Sequence, residues 1–221
     1  MKPSTSSWAK YIRQGFGRRL SLLGEKLNIH WLIYNPIHFM HFHEHGLENA
    51  PGVIRAFKSV FPDAQNYIDV GAGTGAFAAE AQRAGRKVVA CEHSAKGRKV
   101  AARQGVDSRP FDLMKDPPAQ LEGSFDLAYC FEVAEHLPPE LGERLVRYLA
   151  GLAPLVIFTA AHPGQGGTGH INEQPKTYWV EQFQKAGMRH DTDLSGRVAA
   201  AFKAQDVKAP WLIENVLVFV R

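Results

Sequence analysis

The sequence predicts an α/β protein, βαβ units around a parallel sheet, with a helical extension ahead of it. Two observations carry this expectation. From Asn66 onward, short apolar runs alternate with longer helical stretches. The first apolar run then ends in an acid and breaks into three alternating glycines before a helix, as a ligand-binding strand-to-helix turn requires.

The predicted strands cover residues 67–70, 87–91, 106–111, 125–131 and 155–160, and helices fill 74–84, 95–104 and 139–152 between them. After the fifth strand comes a glycine-rich loop, 163–169, then a helix over 175–186 that opens on Pro175 and stops at Gly187. The chain closes with a weak strand near 188–192, a connecting segment through 199–204 and a last strand over 214–220. Ahead of the sheet, 53–61 forms a helix with Ile54, Phe57 and Phe61 on one side. The division expected is an extension and substrate lid over 1–62 and a catalytic body over 63–221.

A chain of 221 residues, 45% hydrophobic, can bury one substantial core. No apolar run reaches the about 18 residues that cross a bilayer, and no signal-peptide pattern opens the chain, so a cytoplasmic protein is expected. Cys91 and Cys130 fall inside strand-like runs and read as small buried hydrophobes. The net charge of +4 is local: Lys2, Lys10, Arg13, Arg18, Arg19 and Lys26 face Glu25 alone among residues 1–30, which leaves the rest about neutral. Interleaved with Trp8, Tyr11, Ile12, Phe16, Leu20, Leu22 and Leu23, these cations fit a helix on an anionic membrane surface, on nucleic acid, or packed on the body with its charges in solvent. The neutral body argues against nucleic acid as the partner.

In Tyr67-Ile68-Asp69-Val70-Gly71-Ala72-Gly73-Thr74-Gly75 the glycines are evenly spaced, unlike the G-x-G-x-x-G that cradles a pyrophosphate. Asp69 would repel a pyrophosphate and attract an ammonium group. Glu92 follows the second strand, 17 residues beyond Gly75, where a carboxylate can accept from both hydroxyls of a ribose. Asp112 follows the third strand, placed to meet an adenine amino group. The loop from Gly164 to Gly169 nearly spells a phosphate-binding loop, but His170 stands for its lysine and Ile171 for its hydroxyl residue. It reads instead as a flexible wall above the sheet edge, flanked by His162 and His170.

The D-V-G-A-G-T-G run, Glu92, Asp112 and FDLAYCFEVAEHL together resemble the class I S-adenosylmethionine-dependent methyltransferases over about residues 65–220. The resemblance implies a Rossmann-like, doubly wound, seven-stranded sheet whose last strand is antiparallel. It implies that Asp69, Gly71, Ala72, Gly73 and Gly75 hold the amino-acid part of S-adenosylmethionine. Glu92 would take the ribose with His93 beside the adenine, Asp112 and Leu113 the adenine edge, and Phe131 and Glu132 the floor near the methyl group. Catalytic candidates facing the acceptor are Glu135, His136 and His170.

Some relatives of this kind hold a divalent ion on a similar Glu-x-x-Glu-His. A metal-free site is the expectation here; were an ion such as Mg2+ bound, Glu132, Glu135, His136 and His170 would hold it. His41, His43 and His45 raise the same question: on an extended segment they would share one side, although a lid over the acceptor suits the surrounding aromatics better. The expected activity is methyl transfer to an oxygen of a small-molecule or saccharide acceptor. An RNA methyltransferase using a divalent metal, and a non-catalytic S-adenosylmethionine-binding scaffold, are the alternatives.

Overall fold

The computed structural model describes residues 36–115, 121 and 124–221, with 36–41 described as backbone only. The basic leader with its aromatics, His30, and the side chains of His38 and His41 lie outside the described residues. The elements run α1 (Pro36–Val60), β1 (Asn66–Val70), α2 (Ala76–Arg83), β2 (Lys87–Glu92), α3 (Ala95–Arg103), β3 (Ser108–Pro110), β4 (Leu127–Phe131), a 3-10 turn (Ala134–His136), α4 (Pro139–Leu152), β5 (Leu155–Thr159), α5 (Lys176–Lys185), β6 (Arg189–His190), α6 (Thr192–Ala204), α7 (Pro210–Asn215) and β7 (Leu217–Val220).

The strands form one seven-stranded sheet in the order β3-β2-β1-β4-β5-β7-β6, with β7 antiparallel to both neighbours. This is the doubly wound sheet with an antiparallel last strand that the sequence led us to expect. Alternation along the central strands feeds two cores. Ile68, Val70, Ala128, Cys130, Val156 and Phe158 pack on α4 and α5, through Leu145, Leu149, Trp179 and Phe183. On the other face Tyr67, Leu127, Tyr129, Ile157 and Val218 pack with Val53, Ile54 and Phe57 of α1, Val198 and Phe202 of α6 and Leu212 of α7. Each large side chain so buried contributes about 1.5–3 kcal/mol. Both cysteines are buried and unbridged, and burial pushes the Cys91 thiol up to about 11.

Four local outcomes differ from the sequence reading. The histidine-rich segment is not extended but helical from Pro36, so His43 and His45, two residues apart at about 100° per residue, point different ways. His43 reaches Thr74 and His45 meets Trp211 edge-on, which removes the one-sided chelate. The third strand keeps only Ser108–Pro110, because Val106 N–H caps α3 on Ala101 and Pro110 can donate nothing to a ladder. Thr192–Ala204 is a helix, capped by Asp191 accepting from Leu194 N–H at 3.0 Å; the alanine-rich run 199–201 sustains it. Helix α2 starts at Ala76 because Gly75 is left-handed.

The strand order reverses between β1 and β4, and the carboxyl ends of those strands flank the crevice where ligands of such sheets bind. Asp69 with the glycine loop stands on one side of it, Phe131 and Glu132 on the other.

Candidate functional site: a crevice between two strand ends

Gly71 and Gly73 shape the loop after β1. A Cβ on Gly71, at φ +77°, would collide with Val133 Cγ2 of the β4 side, so only glycine lets the two sides of the crevice approach. Gly73, at φ +55°, has no heavy atom within 4 Å of the corresponding position, leaving an open backbone surface for a ligand. Asp69 is 3% exposed, beside Tyr129 in the strand register, and its Oδ2 has no hydrogen-bond partner among the described residues. Burial pushes its carboxyl up to about 8; the Tyr129 hydroxyl opposes the shift, and the Glu92 charge adds to it. A buried acid with an open acceptor beside an open glycine backbone fits the ammonium end of S-adenosylmethionine.

Glu92 closes this side. Its Oε2 accepts from Gly73 N–H at 2.7 Å and its Oε1 from Ser94 N–H at 2.6 Å, so one carboxylate ties the glycine loop to the β2–α3 turn. Burial raises its pKa, and those two backbone donors oppose the rise. Arg98, which the sequence reading passed over, donates to the carbonyls of Glu92 and His93 and fixes the turn. His93 Nδ1 lies 3.2 Å from Phe111 O, which brings it against the segment holding Asp112 and Leu113. Asp112 itself accepts from Met114 N–H at 3.0 Å, and Leu113 packs against the core.

Across the crevice the residues come from more distant segments. Glu132 sits at φ +52°, a left-handed conformation rare outside glycine, held by its N–H donating to both the carbonyl and the hydroxyl of Thr159. Glu135 is fully buried, and neither carboxylate oxygen has a hydrogen-bond partner among the described residues. Burial raises its pKa well above the usual range, and the charge of Glu132 raises it further.

The loop after β5 is tethered rather than a free wall. Ile171 and Asn172 N–H both donate to Glu135 O, Asn172 Nδ2 donates to Ala134 O, and His136 Nδ1 donates to Gly169 O. These bonds bring the His136 and His170 rings to 4.9 Å, edge to face. Glu173, which no motif marked, accepts from Gly164 and Gly166 N–H and from His170 Nδ1 at 2.9 Å. His162 is exposed, its ring bonded to Pro163 O.

Glu135, His136 and His170 offer ligand atoms within 4.8 Å of one another. A buried carboxylate without donors needs a proton or a cation, so the set fits a small divalent ion. Its composition, two imidazoles and one carboxylate, suits zinc, manganese or iron better than Mg2+, which prefers an all-oxygen shell. Glu132, the fourth expected ligand, is instead engaged by Gln165 and Asn215.

The sequence profile of the methyltransferase-domain family matches residues 41–191. The chain belongs to that family, and with its sheet order and glycine loop it is a class I S-adenosylmethionine-dependent methyltransferase. No curated protein sequence matches it. Among solved structures, an O-methyltransferase family protein of Burkholderia thailandensis is similar with a TM-score of 0.62 at 14% identity, covering 96% of this chain and 68% of that one. A sugar N-methyltransferase of a Streptoalloteichus species gives 0.59 at 17% identity over 80% and 87% of the two chains. The magnesium protoporphyrin IX methyltransferase of Synechocystis, with bound S-adenosylhomocysteine, gives 0.57 at 18% over 80% and 84%. At these identities the likeness is one of fold.

Proposed function

We propose that the protein methylates an oxygen of a small-molecule or sugar-containing acceptor. When bound, S-adenosylmethionine supplies a methyl group activated on a sulfonium. The chain's task is to hold both partners in line and take a proton. A neutral amine needs no base, whereas a hydroxyl must lose its proton, so a positioned imidazole favours oxygen. The observation that carries this reading is the His170 Nδ1 bond to Glu173 at 2.9 Å. That carboxylate holds His170 in the tautomer whose Nε2 is basic, as the acid of a catalytic triad does for its histidine. Asp69 and the glycine loop would hold the amino-acid end of the cofactor, Glu92 the ribose, and Phe131 the floor.

The sugar preference draws support from the aromatic and histidine-rich segment of α1 and from the fold similarity to a sugar N-methyltransferase. A cytoplasmic location and peripheral membrane contact through the basic leader belong to the same reading. Among the described residues no helix is long and apolar enough to cross a membrane.

A methyl-release screen across sugars, phenols, amines and RNA tests the proposal. A hydroxyl acceptor whose turnover falls about 100-fold or more in His170→Ala is expected; turnover on amines alone, untouched by that variant, would overturn it. A second reading, favoured by the donorless Glu135 carboxylate, adds a divalent ion at Glu135, His136 and His170. Loss of activity on chelation, restored by Mn2+ or Zn2+ and absent in Glu135→Gln, is its expected signature. Activity unchanged by chelation removes it.

A further inference from the structure

Beside the histidine cluster lies a second polar assembly that no motif announced. Asn215, 2% exposed at the end of α7, donates through Nδ2 to Gln165 Oε1 at 2.9 Å and to Glu132 Oε1 at 3.4 Å. Gln165 in the loop after β5 donates through Nε2 to Glu132 Oε2 at 3.4 Å. A carboxylate only accepts, so Glu132 fixes the orientation of both amides: each must turn its nitrogen toward the acid. The consequence falls on Asn215, whose Oδ1 is left buried with no hydrogen-bond partner among the described residues. Three segments far apart in sequence, the strained turn after β4, the loop after β5 and the entry to β7, thus converge on one polar cluster whose open position is an oxygen acceptor. Buried acceptors without donors cost free energy, commonly about 1–3 kcal/mol each, unless something supplies the donor.

Resting on the methyltransferase reading above, we infer that Asn215, with Gln165 and Glu132, is a specificity-determining subsite for a hydrogen-bond donor of the methyl acceptor, an O–H or N–H group next to the one methylated. The position is right for this role. Leu217 pairs with Phe158, so Asn215 lies at the same sheet edge as Glu132 and the loop bearing His170. The open position of this cluster is the Asn215 Oδ1 acceptor, so it would accept a hydroxyl or amino group and reject the same group once fully methylated or held in a tertiary amide. A polar site of this kind discriminates strongly, because the wrong ligand leaves its buried groups unpaired. Vicinal diols and amino alcohols carry the needed donor beside a methylatable atom; an ether or a tertiary amide does not.

The test is calorimetry on the full chain saturated with S-adenosylhomocysteine. The probes are methyl glucoside, glucosamine, ethanolamine and catechol, each set against its fully O-methylated counterpart in which any nitrogen is carried as an N-methylacetamide. At least one donor-bearing probe should bind at least tenfold tighter than its blocked counterpart. That ratio should collapse in Asn215→Leu, while affinity for S-adenosylhomocysteine stays within twofold. Hydroxyl and amine probes form separate arms, and the arm that responds names the donor. Should Asn215→Leu fail to fold, Gln165→Leu on the half-buried loop is expected to show the same collapse. The inference is overturned if no donor-bearing probe is preferred, or if the preference survives in the folded variant. Absence of S-adenosylhomocysteine binding in the parent protein would instead sink the methyltransferase reading itself, so the two failures are distinct.

Discussion

Glu92 and Glu135 are both carboxylates withdrawn from water on facing sides of one crevice, and they are treated in opposite ways. After burial, the strongest influences on Glu92 are the backbone donors of Ser94 and Gly73, which favour its charge. At Glu135 the strongest influence after burial is the charge of Glu132, which disfavours it. The cofactor side is therefore assembled from its own backbone and set in advance. The acceptor side sets Glu135, which no described residue hydrogen-bonds, against the charge of Glu132, and relies on a proton, a cation or the acceptor to complete it.

The largest expected effect breaks the contact between the two sides. Gly71→Ala places a methyl group against the stiff side chain of Val133 at a left-handed φ, so that Val133 and the turn after β4 must shift. A loss of about 2–4 kcal/mol in denaturant unfolding is expected, with cofactor binding abolished. A loss below about 1 kcal/mol would mean that the crevice walls are not packed against each other.

Next in size is the pH dependence set by Asp69. Its folded pKa, about 8, lies above its ordinary value of 3.8, so the folded protein binds the proton more tightly than the unfolded chain. This stabilisation is present in full below pH 3.8 and is lost as the pH rises toward about 8. Asp69→Asn should flatten that decline and be more stable than the parent at pH 8 by about 2 kcal/mol, as followed by thermal unfolding without cofactor. The same variant should bind S-adenosylmethionine at least about tenfold more weakly, since the ionised acid meets the ammonium group. In the parent protein that affinity should climb with pH up to about 8 and cofactor binding should release a proton, visible in calorimetry across buffers. A variant that loses stability at pH 8 and keeps its affinity would reverse both assignments.

A smaller effect separates orientation from packing on the acceptor side. Glu173→Gln keeps the shape of the side chain but weakens its hold on His170 and on the two glycine N–H groups. Turnover should fall about tenfold with cofactor affinity unchanged. Equal losses in both would make Glu173 a brace for the whole crevice.

The contrast also explains what the sequence could reveal. Residues 67–75 and Glu92 were legible because their chemistry is local: a strand, a turn and a carboxylate at a fixed spacing act through neighbouring backbone. The sheet was legible because short apolar runs such as 67–70 and 155–159, separated by longer helical stretches, mark strands buried on both faces. The histidine-rich helix was misread because three alternate histidines look one-sided only on extended chain, and its helical state comes from packing that begins at Val53. Glu173, Gln165 and Asn215 stayed hidden because each works through a partner in another segment, such as the 50 residues between Gln165 and Asn215. His136 and His170 were visible singly, but what joins them is Gly169 O and Glu135 O, backbone atoms that carry no signature.

The smallest expected effect lies where α1 touches the cofactor side. His43 Nδ1 lies 3.0 Å from Thr74 Oγ1, a half-buried bond between the helix and the glycine loop. Such a bond contributes about 0.5–1.5 kcal/mol net, and water can replace part of it. Helix α1 is held independently by Phe57 and its neighbours, and by Gly46, where a Cβ would come within 2.9 Å of Ala76 Cβ. His43→Ala should therefore cost no more than about 1 kcal/mol in unfolding and reduce cofactor affinity less than tenfold, because the glycine loop is already fixed by Glu92. A loss as large as that of Gly71→Ala would show instead that the loop is set by the helix above it, and that the cofactor side depends on a distant segment as much as the acceptor side does.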